Sequence, residues 1–461
     1  MPVNQEGSLK GRVHFVGIGG VGMSGIAAIL IKQGFAVSGS DVKNSQATGK
    51  LALGGAKIFL GHAASNVDDA DVVVYSSAIK TDNPELLAAR DRGIRVIRRA
   101  EALAQLMRGK TCIAVSGAHG KTTTTALISH LLLHANFNPT VAIGGILRNL
   151  QDNACLGESN FFVAEADESD GTFLCYEPDY PVVLNIDREH LDYYKDWAHI
   201  VSIYGEFISN TKDGGCLFCC GDDPAIRQIT KGFKKRAVYF GLSQDNDFYP
   251  DNITLNEFSS DFSCNRAEKS IGRIKLPLAG SHNISNSLAA VAVGIELGMD
   301  FKTIEGALAT FKGTARRFEL KADIGGIRII DDYGHHPSEI KATLRAAENV
   351  KHGRLVVVFQ PHRYSRTKFL MGDLAQSLAF VDYLLLTDIY PASESSIPGV
   401  SSETLCARIR EINPKINAVC LKREKVLNYL KRIIRPGDLV LTLGAGDIGK
   451  ISDELVQWVK S

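Results

Sequence analysis

No apolar run in this 461-residue chain reaches the roughly 18 consecutive residues that a membrane-spanning helix needs, so membrane insertion is not expected. The N-terminal stretch MPVNQEGSLKGR lacks the apolar core of a signal peptide, and the expected compartment is the cytoplasm. Charge of one sign is also missing. The 52 basic side chains meet 51 acidic ones, and a net charge of +1 argues against a general nucleic-acid or polyanion binder. Nine scattered cysteines, an odd number, make no disulfide framework and fit a reducing compartment. Cys216-x-x-Cys219-Cys220 has no second C-x-x-C or His pair at a zinc spacing, so it is either half a metal site or a set of buried strand thiols. Internal repeats and low-complexity tracts do not occur. At roughly 100–200 residues per domain, two to four domains are expected. A hydrophobic content of 45% gives each a proper core.

What is present is organised by glycine. The stretch VSGAHGKTTTT (115–125) follows an apolar run at 111–115 that reads as a buried strand, and 126–134 has a helical composition. A strand feeding a Gly-rich turn that ends in Lys-Thr at a helix start makes a phosphate site. Gly117 and Gly120 let backbone N–H groups approach the phosphates, and the helix N-terminus adds a favourable dipole. Lys121 would reach the β/γ-phosphates, and the Thr122 hydroxyl would ligate Mg²⁺. The full Walker spacing is absent, since its first glycine would fall on Val115. An ordinary turn with a solvated lysine is the other reading.

Upstream, Gly17-Ile-Gly-Gly-Val-Gly22 sits between a strand at 13–16 and a helix at about 23–33, with Asp41 after a second strand. This satisfies G-x-G-x-x-G and predicts a diphosphate on a helix N-terminus, which a UDP-sugar supplies as well as NAD does. A nicotinamide oxidoreductase would leave GAHGKTTTT and EADESD without a purpose. Downstream, a strand at 161–164 delivers Glu165-Ala-Asp167-Glu168-Ser-Asp170, and one at 182–186 ends in Asp187-Arg-Glu-His190-Leu-Asp192. Ligands of parallel α/β sheets bind beyond the carboxyl ends of strands, which turns Thr122, Glu165 or Glu168, and His190 into candidate metal and phosphate donors. The alternatives are a solvated acidic loop and a structural histidine. Residues 216–275 read as short strands and polar turns with no assignment. Asn283 and Asn286 share one face of a helix, as capping groups or as amide contacts to a nucleotide. Further strands at 328–330, 355–359, 383–386 and 438–443 restore β-α-β alternation, hence a parallel sheet.

Taken in order, GIGGVGMSGIA, SSAIKTDNPE, GAHGKTTTT, EADESD, NIDREHLD, GSHNISN, RRFE, DDYGHHPSEI, QPHRYSRT and GAGDIGK resemble the Mur ligase family, ATP-dependent amide-forming enzymes of bacterial peptidoglycan synthesis. DDYGHHP and QPHRYSR are most similar to the member that adds the first amino acid. The resemblance implies an α/β protein of three domains, each built on a mainly parallel sheet with flanking helices. These are an N-terminal Rossmann-like UDP-sugar domain (1–108), a central P-loop ATP-binding domain (109–312) and a C-terminal Rossmann-like amino-acid domain (313–461). It implies ATP and Mg²⁺ as cofactors, UDP-N-acetylmuramate and L-alanine as substrates, an acyl-phosphate intermediate, and a bacterial cytoplasmic location.

By position the resemblance carries ATP contacts onto Gly117, His119, Gly120, Lys121, Thr122, Thr123, Asn283, Arg317 and Asp332. Metal contacts fall on Thr122, Glu165 and His190; Glu168 is a neighbour without a settled role. UDP-sugar contacts fall on Gly19, Gly20, Gly22, Met23, Asp41, His62, Ser76 and Ser77. Amino-acid contacts fall on Tyr333, His335, Arg363 and Arg366, and catalytic roles on Lys121, Glu165, His190 and His335. His335 either takes a proton from the incoming ammonium, with a pKa suited to neutral pH, or only positions it. Ala118 and Glu189 depart from the family's usual Thr and Asp. No Lys occurs at 198–207, so a carbamylated lysine is not expected. The nearest rival is a sister ligase that attaches a recycled murein peptide to the same UDP-sugar.

Overall fold

Three sheets carry the fold of the protein, seen here in a computed structural model that describes residues 9–191 and 193–461. Asp192, and residues 1–8 of the first expected domain, lie outside the described residues. The first sheet is all parallel, in the order Lys57–Leu60, Ala36–Asp41, Arg12–Val16, Val72–Tyr75, Arg95–Arg98. Strand order reverses beside Arg12–Val16, so its crevice opens just beyond the glycine turn. Val13 and Phe15 pack under Met23, Ile26, Ile29 and Leu30 of helix Val21–Lys32, all almost fully buried.

Among the described residues the middle sheet has ten strands. At its centre Tyr180–Val183, Thr111–Ser116, Phe161–Glu165 and Thr140–Leu147 run parallel, in register Val183↔Ser116 and Val115↔Glu165. That register brings the phosphate loop, the acidic segment and residues 184–190 to one edge. Helix Lys121–His134 is buried on almost every side between this sheet and helix Ser281–Glu296, which explains why it shows no amphipathic stripe. The unassigned segment 216–275 extends the same sheet. Cys216–Cys220 and Arg236–Phe240 continue it in parallel, and Phe248–Leu255, Ser260–Arg266 and Lys269–Leu276 end it as an antiparallel meander. Cys216, Cys219 and Cys220 are buried strand thiols, and among the described residues they join no group of metal-ligating side chains.

In the third sheet the antiparallel edge strand Glu319–Ile324 precedes Ile327–Asp332, Asp438–Leu443, Arg354–Phe359, Tyr383–Leu386 and Asn417–Cys420, which are parallel. The two outermost strands were not expected from the sequence. Glu319–Ile324 runs into its partner through Gly325-Gly326, and Asn417–Cys420 is only four residues long. Among the described residues no helix is long and apolar enough to cross a membrane. The expected fold class, three mainly parallel α/β sheets with flanking helices, is the one observed.

Candidate active site

The phosphate loop is built by two glycines that no other residue replaces. Gly117 has φ +141° and Gly120 φ +83°; a Cβ on the first would lie 2.9 Å from Leu184 Cβ, and on the second 2.7 Å from Asn286 Oδ1. The close approach to Asn286 shows that helix Ser281–Glu296 abuts the loop. Asn185 fastens the loop from the other side, accepting the His119 N–H at 2.8 Å and donating to the His119 carbonyl at 3.0 Å.

Lys121 points back across the loop. Its ammonium donates to the Gly117 carbonyl at 2.6 Å and to Glu168 Oε1 at 2.9 Å. Burial alone would lower its pKa, but Glu168, Asp167 and Glu165 outweigh burial and hold it above the ordinary lysine value. Thr122 Oγ1 donates to Glu165 Oε1 at 3.1 Å, and the Gly144 N–H donates to Glu165 Oε2 at 2.8 Å. Burial keeps the Glu165 pKa above normal.

The side chains expected to hold a metal divide into two groups. Thr122 and Glu165 face each other, whereas His190 Nε2 lies 3.6 Å from Glu168 Oε1 and 3.4 Å from Glu189 Oε2. Among the described residues, Glu168, Glu189 and His190 bring their donor atoms within 4.8 Å of one another, as do His119, Asp187 and His336. Glu165 belongs to neither group. Glu168 is thus the residue common to the lysine and the histidine, and its Oε2 is buried with no hydrogen-bond partner among the described residues. Hydroxyl and carboxylate oxygens with a spare acceptor suit a small hard cation such as Mg²⁺.

Between the middle and third units lies a cleft of about 490 Å³ whose walls include His119, Gly120, Thr123, Asn283, Arg317 and Asp332. All six were expected to contact one nucleotide, and the fold brings them together. Asp332 also fastens its own turn, accepting the N–H groups of Phe318 and Gly334, each at 2.7 Å, and the Thr343 hydroxyl at 3.1 Å. Contacts across the cleft are direct: Ser338 Oγ donates to Asp187 Oδ2 at 2.7 Å, and the His119 and His336 rings lie 4.7 Å apart. His119 Nε2 donates to the same Asp187 oxygen at 2.8 Å. Burial works against the charged form of His119, but Asp187 and Glu339 prevail and lift its pKa to about 10.

Beyond the cleft, Arg366 Nε lies 3.5 Å from Glu189 Oε1 and Arg363 Nε 2.7 Å from Glu394 Oε1, beside His190. Tyr333 stacks under Arg317, whose guanidinium carbon is 5.1 Å from the ring centre. His335 differs from expectation. Burial and then Arg366 push its pKa down to about 4, so it is not a group tuned to neutral pH.

In the first unit the glycine turn is held from the neighbouring strand. Asp41 Oδ2 accepts the Gly19 N–H at 2.9 Å, and the N–H groups of Gly17 and Ile18 donate to the Ser40 carbonyl. Gly20 and Gly22 flank the start of the helix, and Ser76 and Ser77 form the lip after Val72–Tyr75. The Met23 side chain, 2% exposed, belongs to the core, so a ligand contact from this position falls to its backbone. His62 Nδ1 sits 3.1 Å from Glu85 Oε2, a fully buried carboxylate that the sequence did not single out.

Family models match in the same order as these units: the Mur ligase family catalytic domain over residues 12–111, the Mur ligase middle domain over 115–294 and the Mur ligase glutamate ligase domain over 316–446. The chain belongs to the Mur ligase family. Among relatives of this Mur ligase, the UDP-N-acetylmuramate–L-alanine ligase of Geobacter sp. (strain M21) is 47% identical over 451 residues, covering 98% of each chain. That of Desulfatibacillum aliphaticivorans is 46% identical over 97% of this chain and 98% of its own. Among solved structures, the UDP-N-acetylmuramate-alanine ligase of Thermotoga maritima superposes with a TM-score of 0.83 at 29% identity, over 97% of this chain and 99% of that one. A murein peptide ligase from Psychrobacter arcticus shares the fold at a TM-score of 0.74 and 23% identity, over 98% and 99%.

Proposed function

We propose that this Mur ligase joins L-alanine to the carboxylate of UDP-N-acetylmuramate, consuming ATP and releasing ADP and phosphate, in the bacterial cytoplasm. The observation that carries the reading is the position of Lys121 and Glu168. They stand between the 490 Å³ cleft suited to a nucleotide and the His190, Arg363 and Arg366 cluster suited to an amino acid. The names of the full-length relatives support the choice of substrates. In this reading residues 1–108 hold the UDP-sugar, 109–312 the ATP and 313–461 the amino acid.

A carboxylate is a poor acylating agent because its leaving group would be oxide. Attack of the sugar carboxylate on the γ-phosphate breaks the β,γ-anhydride bond, releases ADP and gives an acyl phosphate, from which phosphate can later leave. Lys121 stabilises the charge that gathers when the two anions meet, and the loop's N–H groups align the phosphates. Thr122 and Glu165, with Glu168 and His190 beyond them, would hold Mg²⁺, which supplies further charge neutralisation when bound. Arg363 and Arg366 suit the planar carboxylate of alanine, whose neutral amine then attacks the acyl carbon. Collapse of the tetrahedral adduct expels phosphate and leaves the amide.

The deciding experiment offers L-alanine, glycine, L-serine and a murein tripeptide to the enzyme with UDP-N-acetylmuramate and ATP. Phosphate release should be fastest with L-alanine and stoichiometric with amide. Preference for the tripeptide would overturn the reading in favour of the sister ligase, and ATP-independent coupling would overturn it altogether.

A further inference from the structure

Glu339 lies three residues past the N-cap of helix Pro337–Glu348 and does more than a cap requires. Its Oε2 accepts the backbone N–H groups of His335 at 3.0 Å and His336 at 3.2 Å, the acidic half of a capping box. Its Oε1 points across the domain junction, 3.7 Å from His119 Nδ1 on the phosphate loop, and lies 3.7 Å from Arg317 Nη1 of its own unit. The His335 ring is 3.3 Å away. The side chain is only 14% exposed, so His119 and Arg317 are its charged partners in place of water.

His119 is held at both ends. Nε2 faces Asp187 of its own unit at 2.8 Å, and Nδ1 faces Glu339 of the third unit. An imidazole whose two nitrogens both face carboxylate oxygens keeps both protons, which sets a second positive charge beside Lys121 in the loop. The 3.7 Å separation is an ion-pair distance, and it leaves Nδ1 without a hydrogen-bond acceptor among the described residues. Closure of the junction by a few tenths of an ångström would complete the bond.

We propose that Glu339 is a positioning residue for the coupled reaction: its charge, shared with Arg317 of its own unit, ties His119 of the phosphate loop to the amino-acid side across the domain junction. The inference rests on the ligase reading above. A capping role needs only a hydrogen-bond acceptor, which glutamine supplies; holding two cations needs the negative charge. The two roles therefore separate in Glu339→Gln.

The test uses the full-length enzyme, Glu339→Gln, His119→Gln and the double variant, comparing melting temperature with kcat and KM from L-alanine-dependent phosphate release. Glu339→Gln is expected to melt within a few degrees of the unmodified enzyme and to keep its KM for the UDP-sugar, while kcat falls roughly 10- to 100-fold. The loss in the double variant should be smaller than the product of the two single losses, because both changes break the same His119–Glu339 contact. A Glu339→Gln kcat within twofold of native, or losses that multiply in the double variant, would overturn the proposal. If Glu339→Gln does not fold, Glu339→Asp, which draws the charge back by one methylene, takes its place with the same expectations. An unmodified enzyme that releases no phosphate with L-alanine would instead overturn the ligase reading.

Discussion

Arg99 Nη2 lies 2.9 Å from Asp167 Oδ2, joining the helix that follows the first sheet to the acidic segment behind the phosphate loop. The same guanidinium leans on the glycine turn, since a Cβ on Gly22 would stand 2.6 Å from Arg99 Nη1. One side chain therefore senses both the expected UDP-sugar crevice and the ATP unit. Gly22→Ala should push Arg99 aside without harming the helix, because Ala is the better helix former. The expected result is a KM for the UDP-sugar raised roughly 10-fold, the equivalent of about 1.4 kcal/mol, with the ATP KM near native. Steady-state kinetics with each substrate varied in turn would check it, and equal rises in both KM values would contradict it.

Lys121→Ala should abolish amide formation and ATP cleavage together, by at least about 10²- to 10³-fold in kcat, as expected for removal of a charge that acts on the transition state. UDP-sugar binding, measured by calorimetry, should stay largely intact because the residues proposed to hold it lie on another sheet. The same change leaves Glu168, at 3% side-chain exposure, with His190 as its remaining basic neighbour, so a lower melting temperature should accompany it. Near-native turnover would refute the assignment of the loop.

How much of this was legible beforehand depended on where each signal was carried. Strand ends and glycine turns are local, so Gly117, Gly120, Asp41 and the Asp331–Pro337 segment could be placed from sequence. The mutual exposure of Lys121 to Glu168 depends on the register Val115↔Glu165, which no local pattern encodes. Glu339 was hidden because a capping box, here His336-x-x-Glu339, looks like helix punctuation until another domain is packed against it. Glu85 was missed for a related reason: a carboxylate after Asn-Pro reads as a first-turn helix residue, yet it is the centre of a buried polar cluster. Segment 216–275 resisted assignment because an antiparallel meander appended to a parallel sheet breaks the βαβ rhythm on which the reading relied.

Glu85 gives a pH prediction. Burial would raise its pKa, but hydrogen bonds involving His14, Ser40 and Asn66 overcome burial and bring it from 4.5 down to about 2. A folded-state value below the unfolded one adds stability at pH values above 4.5, and that stability disappears as pH falls through 2. Glu85→Gln should therefore melt roughly 3–8 °C below the native protein at pH 7, and the gap should narrow from pH 4.5 downwards. A gap constant from pH 7 to pH 3 in thermal melts would show that the charge is not what Glu85 contributes. Because Glu85 also orients His62, the KM for the UDP-sugar should rise in the same variant.

Burial and Arg366, which push the His335 pKa down to about 4, favour the positioning role of the two that the sequence left open. A base of that strength is neutral at pH 7, yet it holds a proton far less well than the α-ammonium from which it would have to take one. His335→Gln should therefore cost only about 10-fold in kcat, where loss of a true general base costs 10² to 10⁴. The KM for L-alanine should rise, because the ring packs beside Tyr333 and His362 on the surface expected to receive the amino acid. In the native enzyme kcat/KM should show no inflection near 6.5 from this residue. The shift also has a stability consequence of fixed sign: the unfolded chain takes up a proton below 6.5 that the folded site refuses until about 4, so stability falls as pH drops through that interval. A pH–rate profile and thermal melts of native protein and variant between pH 4 and 8 would test both statements. A 10³-fold loss in kcat with unchanged KM would restore His335 as the base.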